Sequence, residues 1–280
     1  MVAIFDTIVS MLSFTFMVRA LVVGLLVSLC AALLGVNLVL KRYAMIGTGL
    51  SHVGFAAMAI AGVVDLAPLA VSLPVVVITA FILLRLSESS KIKGDSAVAL
   101  ISTSGLAIGV IVVSLTTGLT LHICNVMFGS ILAMTQADMY LSIALSIVVL
   151  GVFVLFYKQL FAVTYDEDFA KATGVKVGIY KSLLAILTAV TVVLGMQMMG
   201  ALLIASLTLF PALSAMRVCK RFLSVVVVAA IVGVTCFFIG MLFSFVIMDL
   251  PPGASVVGVN LVVFIVFSVV GFVKRGGVIR

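Results

Sequence analysis

The sequence predicts an all-α, polytopic membrane protein of eight or nine transmembrane helices, with residues 1–280 forming one transmembrane domain. Three observations carry this. The chain is 65% hydrophobic and only 9% charged, whereas a soluble globular domain is about 25% charged. Its apolar residues fall in helix-length runs instead of short alternating segments, and in lipid such runs satisfy their backbone hydrogen bonds only as helices. The 16 Lys and Arg stand in small clusters between these runs. They read as topology signals, not as a basic face for nucleic acid, so nucleic acid is not expected as a partner.

Taken in order, residues 1–17 are apolar but interrupted by Asp6, Ser and Thr, and read as a short interfacial helix. The first span covers roughly 18–40 and is stopped by Lys41 and Arg42. A shorter second run, about 46–64, carries His52 and ends at Asp65, with Pro68 marking a turn. The third covers about 66–84 and gives way to the polar stretch RLSESSKIKGD. Span four, about 97–119, is rich in Gly, Ser and Thr, which let membrane helices approach closely. Residues 121–138, LHICNVMFGSILAMTQAD, are too polar to span and read as a partly embedded or surface helix. Span five covers roughly 139–156, followed by the one large polar loop, 158–181. The 35 residues from 182 to 216 hold no charge, enough for two short helices hinged at MQMMG or for one long bent one. Spans at about 223–247 and 256–273 complete the chain.

Placing the basic clusters at 41–42, 85–93, 158–181, 217–221 and 274–280 on the cytoplasmic face satisfies the positive-inside rule, Arg19 being the main exception, with nine spans and the N-terminus outside. Asp65, Asp138 and Asp249 then lie on the outer face, which is mildly attractive to cations.

All nine carboxylates stand at span ends or in loops. A proton-driven carrier and an intramembrane hydrolase both lose the buried acids they commonly use. His52 is left within a span, with Thr48 one turn earlier on its face and Ser51 beside it. An imidazole facing a bundle interior is a good transient ligand for a divalent cation; the plainer alternative is a histidine bonded to a neighbouring helix. His122 and Cys124 offer a second soft pair near the outer surface. The other cysteines, Cys30, Cys219 and Cys236, lack metal-site spacing and read as small buried hydrophobes. Met196, Met198 and Met199 suit Cu(I) chemically but read first as flexible packing. Residues 174–182 lack the adjacent Gly-Lys-Ser/Thr of a phosphate loop, so neither a nucleotide nor a resident cofactor is expected on this chain. DEDFAKATGVKV reads as a short amphipathic helix with acidic residues at its start and Gly174 as its stop. Composition leaves open whether it is a connector or a docking element.

The order of several segments is more specific than any one of them. GLLVSLCAALLGVNLVLKRYAMIGTGLSH, GD at 94–95, FGSIL at 128–132, YDEDFAKATGV, GALLIASLTLFPALSAMR and DLPPGA follow one another along nearly the whole chain. The chain thereby resembles the integral-membrane permease subunits of ATP-binding-cassette importers for zinc, manganese and iron. The resemblance implies a multi-pass protein of the inner cell membrane that is not itself an enzyme. It implies a homodimer with the path at its interface, two cytoplasmic ATP-binding subunits that alone bind ATP, and an extracytoplasmic metal-binding protein. The loop at 165–177 then becomes the element that docks on the ATPase, with roles for Asp166, Glu167, Ala170 and Gly174. The family's motif after the first span has aspartate four residues before the histidine; Thr48 stands in that place here. Its neutral hydroxyl is a poorer ligand for a hard cation than a carboxylate. The competing functional classes are a stand-alone secondary metal transporter and a membrane scaffold or intramembrane enzyme using His52 and His122.

Overall fold

The computed structural model describes residues 13–88, 94–115, 136–247 and 250–276, and every regular element among them is a helix. In chain order these are α1 (Thr15–Leu40), α2 (Ile46–Val63), α3 (Pro68–Glu88), α4 (Gly94–Leu115), α5 (Gln136–Leu155), α6 (Tyr157–Tyr165), α7 (Glu167–Ala172), α8 (Val177–Met199), α9 (Ala201–Val218), α10 (Phe222–Val246) and α11 (Pro252–Gly276). Nine of them, all but α6 and α7, are long and apolar enough to cross a membrane. The higher of the two expected span counts is therefore the one found among the described residues.

The uncharged run from 182 to 216 is divided at Gly200, where φ is 87° and ψ 158°. Side chains essentially exclude this backbone region, so glycine is what permits the break between α8 and α9. Residues 15–17 join the first span, because α1 begins at Thr15 with Phe14 as its N-cap; residues 1–12 of the expected interfacial segment lie outside the described residues. The segment expected at 121–138 and the pair His122 and Cys124 also lie outside them, apart from the first turn of α5.

The first span is the centre of the bundle. α1 packs against α5, α8, α9 and α10, and 72% of its most apolar stretch is buried. Glycine permits the close approaches. A side chain at Gly35 would collide with the backbone carbonyl of Thr208 on α9, and one at Gly24 with Phe237 of α10 and Met199. These two contacts make α1 and α9 run in the same direction, so Arg217 ends at the same face as Lys41. α4 lies along α2 through Gly105 and Gly109, which meet Val53, Phe55 and Ala56. Met196 and Met199 are buried, with the Met196 side chain against Gly54. Both pack in the main core, in keeping with the packing reading of that cluster.

Candidate functional site

α2 is built to be gripped on one side and open on the other. Gly47 faces the Thr208 hydroxyl, Gly49 faces Val98 and Gly54 faces Met196, so α9, α4 and α8 all approach its backbone. On the other side Met45, Thr48 and His52 recur at helical spacing and stay half-buried or exposed, as do Ala59 and Val63 further on, while Phe55 and Ala56 between them are buried against Gly109 of α4. Ser51 points the other way. It is fully buried, and its hydroxyl donates to the Thr48 carbonyl at 2.8 Å. The three residues expected to act together thus divide: Thr48 and His52 share the open stripe, while Ser51 is turned inward.

His52 is held from α4. Its Nδ1 lies 2.7 Å from the Ser102 hydroxyl, and the direction of this bond follows the tautomer. With Nδ1 engaged, Nε2 is the nitrogen that remains to coordinate an ion. Beyond Ser102, α4 presents Thr103 and Ser104 outward, the Thr103 hydroxyl donating to the Ala99 carbonyl at 2.6 Å. A half-buried imidazole bonded to Ser102 is a polar pair on an otherwise apolar helix surface, costly to set against lipid. Among the described residues, no three His, Cys, Asp or Glu side chains come together as a metal cluster. His52 is thus the one candidate imidazole ligand among the described residues, without a finished site around it. Sequence reasoning missed Ser102; the richness of α4 in small polar residues was visible but marked only close packing.

The second candidate region is the polar loop, which folds as α6 and α7. Asp166 caps α7: its Oδ1 accepts from the backbone N–H of Asp168 and of Phe169, each at 3.0 Å. At the other end, Val175 N–H donates to the Ala170 carbonyl and Gly174 N–H to that of Lys171, both at 3.0 Å, with Gly174 at φ 84°. These two bonds form a Schellman stop with glycine at its left-handed position, so Gly174 ends the helix as expected. Ala170 is fully buried between Val163 and Val177, while Phe169 is 63% exposed. The helix has an anchored face and a free apolar one.

Glu167 belongs to the anchored side. Its Oε1 is 2.9 Å from Nζ of Lys41 and its Oε2 2.6 Å from Nζ of Lys181. The lysine side chains are only 6% and 13% exposed. Partial burial pushes the Glu167 carboxyl up, but hydrogen bonds and charge from Lys181 and Lys41 outweigh it and hold it below the ordinary glutamate range. Both lysines were read from sequence as topology signals; nothing in their spacing pairs them with Glu167.

A family model described as the ABC 3 transport family matches residues 13–271. The chain belongs to this family. It is a transport permease and a multi-pass membrane protein rather than an enzyme. Among curated relatives of the family, the manganese transport system membrane protein MntC of Halalkalibacterium halodurans is 28% identical over 88% of this chain and 84% of its own. The high-affinity zinc uptake system membrane protein ZnuB of Haemophilus influenzae is 30% identical over 87% and 93%. Of solved structures, PsaBC from Streptococcus pneumoniae in complex with Fab aligns with TM-score 0.83 and 26% identity over 95% of each chain. An inward-facing putative metal-chelate type ABC transporter aligns with TM-score 0.73 and 16% identity over 90% of this chain and 85% of that one, a likeness of fold.

Proposed function

We propose that this chain is the permease of an ATP-driven importer for a divalent transition metal, with His52 lining the path and Thr48 beside it. The observation that carries the reading is the His52 and Ser102 pair on the open stripe of α2, in a permease family whose relatives are named for manganese and zinc transport. A single candidate ligand among the described residues favours a homodimer: a second copy would cover the His52 and Ser102 pair and bring a second imidazole to the same path. α7 supplies the contact to a separate cytoplasmic ATP-binding subunit, through its exposed Phe169 face and the Asp166 and Gly174 caps that hold its shape. An extracytoplasmic metal-binding protein would deliver the ion at the opposite face. Closure of the ATPase pair would move α7 and switch the path between outward and inward access.

Co-purification with an ATPase subunit tests the assembly, and ATP-dependent uptake of zinc, manganese or iron into vesicles carrying the complex tests the transport. Uptake by this chain alone in ATP-free vesicles would overturn the reading in favour of a secondary transporter.

A further inference from the structure

A carboxylate shared by two almost buried lysines needs more explanation than a solvated loop supplies. Glu167 opens α7, Lys41 closes α1 immediately before the turn into α2, and Lys181 lies in the second turn of α8. Each carboxylate oxygen takes a different ammonium, at 2.9 and 2.6 Å. The two lysines also line one small cavity with Leu38, Tyr43, Leu50 and Thr188, about 20 Å³ in volume. That leaves room for about one water. Neither ammonium can withdraw into solvent without leaving this apolar wall, so the three side chains behave as one unit. The unit joins three bodies: α7, the α1 to α2 turn that leads to Thr48 and His52, and the base of α8, which itself packs against α1, α2 and α3.

We propose that the Lys41, Glu167 and Lys181 cluster is the joint through which displacement of α7 reaches the helices of the path. Glu167 is a positioning residue: its two oxygens are engaged by Lys41 and Lys181, and it divides labour with Phe169, which faces outward from the same helix. The proposal rests on α7 being the ATPase-docking element. It assigns what lies on that element's inner side.

The test measures metal transported per ATP hydrolysed by the assembled complex in vesicles, together with the amount of ATPase co-purified and the thermal midpoint of the complex. Lys41→Gln, Lys181→Gln and Glu167→Gln are each expected to lower transport per ATP by at least about five-fold in the complex that does assemble, as loss of a charge-assisted bond implies. The double variant Glu167→Gln with Lys41→Gln should be no worse than Glu167→Gln alone, and Lys41→Arg should restore the ratio. Unchanged transport per ATP in Lys41→Gln and Lys181→Gln would overturn the proposal, and so would a loss that only tracks the amount of folded complex. Phe169→Ala reports separately on the docking reading: if it leaves co-purification intact, that reading fails whatever the lysine variants do.

Discussion

Oε1 of Glu167 lies 2.9 Å from Nζ of Lys41, although 126 positions separate the two residues. One end of this bond is in the short helix α7, proposed above to dock on a cytoplasmic partner; the other is at the turn from which the His52 helix starts. Its dependence on pH is the first prediction. The folded Glu167 carboxyl sits below its ordinary value of 4.5, so the folded state binds the proton less well than the unfolded one. The attachment of α7 is then fully present above about pH 4.5 and is lost as pH falls through the lower folded value. Hydrogen exchange over residues 166–175 should be flat from pH 7 down to that point, after correction for intrinsic rates, and should rise below it. Glu167→Gln should exchange fast throughout; equal protection in the variant at pH 7 would remove the ion pairs as the cause.

His52→Ala should abolish metal transport, a fall of at least about a hundred-fold if the imidazole is the path's principal ligand, with the thermal midpoint little changed because the ring is only half-buried. Ser102→Ala removes one orienting hydrogen bond and should cost about 1 kcal/mol, or roughly five-fold in transport. Parallel uptake assays on the two variants check the ranking, which reverses if Ser102 is itself the ligand.

On the proposed reading, Thr48 leaves the path short of a carboxylate. Imidazole suits zinc and iron, whereas oxygen anions suit manganese. Thr48→Asp should therefore raise manganese uptake relative to zinc, by about three- to ten-fold in the ratio if one charged ligand is gained near the ion. Competition of the two metals in a single vesicle preparation gives that ratio directly, and a fixed ratio would place Thr48 off the ion's route.

Gly35 and Gly62 make a stability pair. An alanine at Gly35 would strike the Thr208 carbonyl, which as backbone of a packed helix has little room to yield, whereas Gly62 has nothing within 4 Å. Gly35→Ala should destabilise by about 2 kcal/mol or more through overpacking. Gly62→Ala should be neutral or slightly stabilising, by up to about 0.5 kcal/mol. Thermal midpoints in one detergent distinguish them.

Gly174 holds φ 84° with open space around it, so the cost of a side chain there is conformational. Gly174→Ala should loosen the end of α7 by about 1 kcal/mol, and Gly174→Asn by less, since asparagine tolerates the left-handed region. On the docking reading, co-purified ATPase should fall in the same order. Equal recovery from all three would mean that the stop is not needed for docking.

Much of this molecule was legible in its sequence because the signals are local. Span ends followed from Lys41, Arg85 and Arg217 interrupting apolar runs; α7 followed from its acidic start and Gly174 stop. Where two readings competed, as over residues 182–216, hydropathy was silent and Gly200 decided, because a break in an uncharged run is a matter of backbone conformation and not of transfer energy. The division of Thr48 and His52 from Ser51 was also out of reach: all three fit one polar patch in sequence, and only the helices gripping α2 through Gly47, Gly49 and Gly54 determine which side stays open.

By itself, then, the sequence determined an all-α polytopic membrane protein, the order of its spans and His52 as the ligand-type side chain left inside them, since length, hydropathy and residue chemistry need no partner to be read; the permease reading came from the order of its motifs. The tertiary structure decided that Ser102 holds His52 across 50 positions and that Glu167 is shared by Lys41 and Lys181. Such pairings depend on the rotation and direction of whole helices against one another. In this chain those are set by where glycine lets two backbones touch, a relation between distant residues that no local pattern encodes.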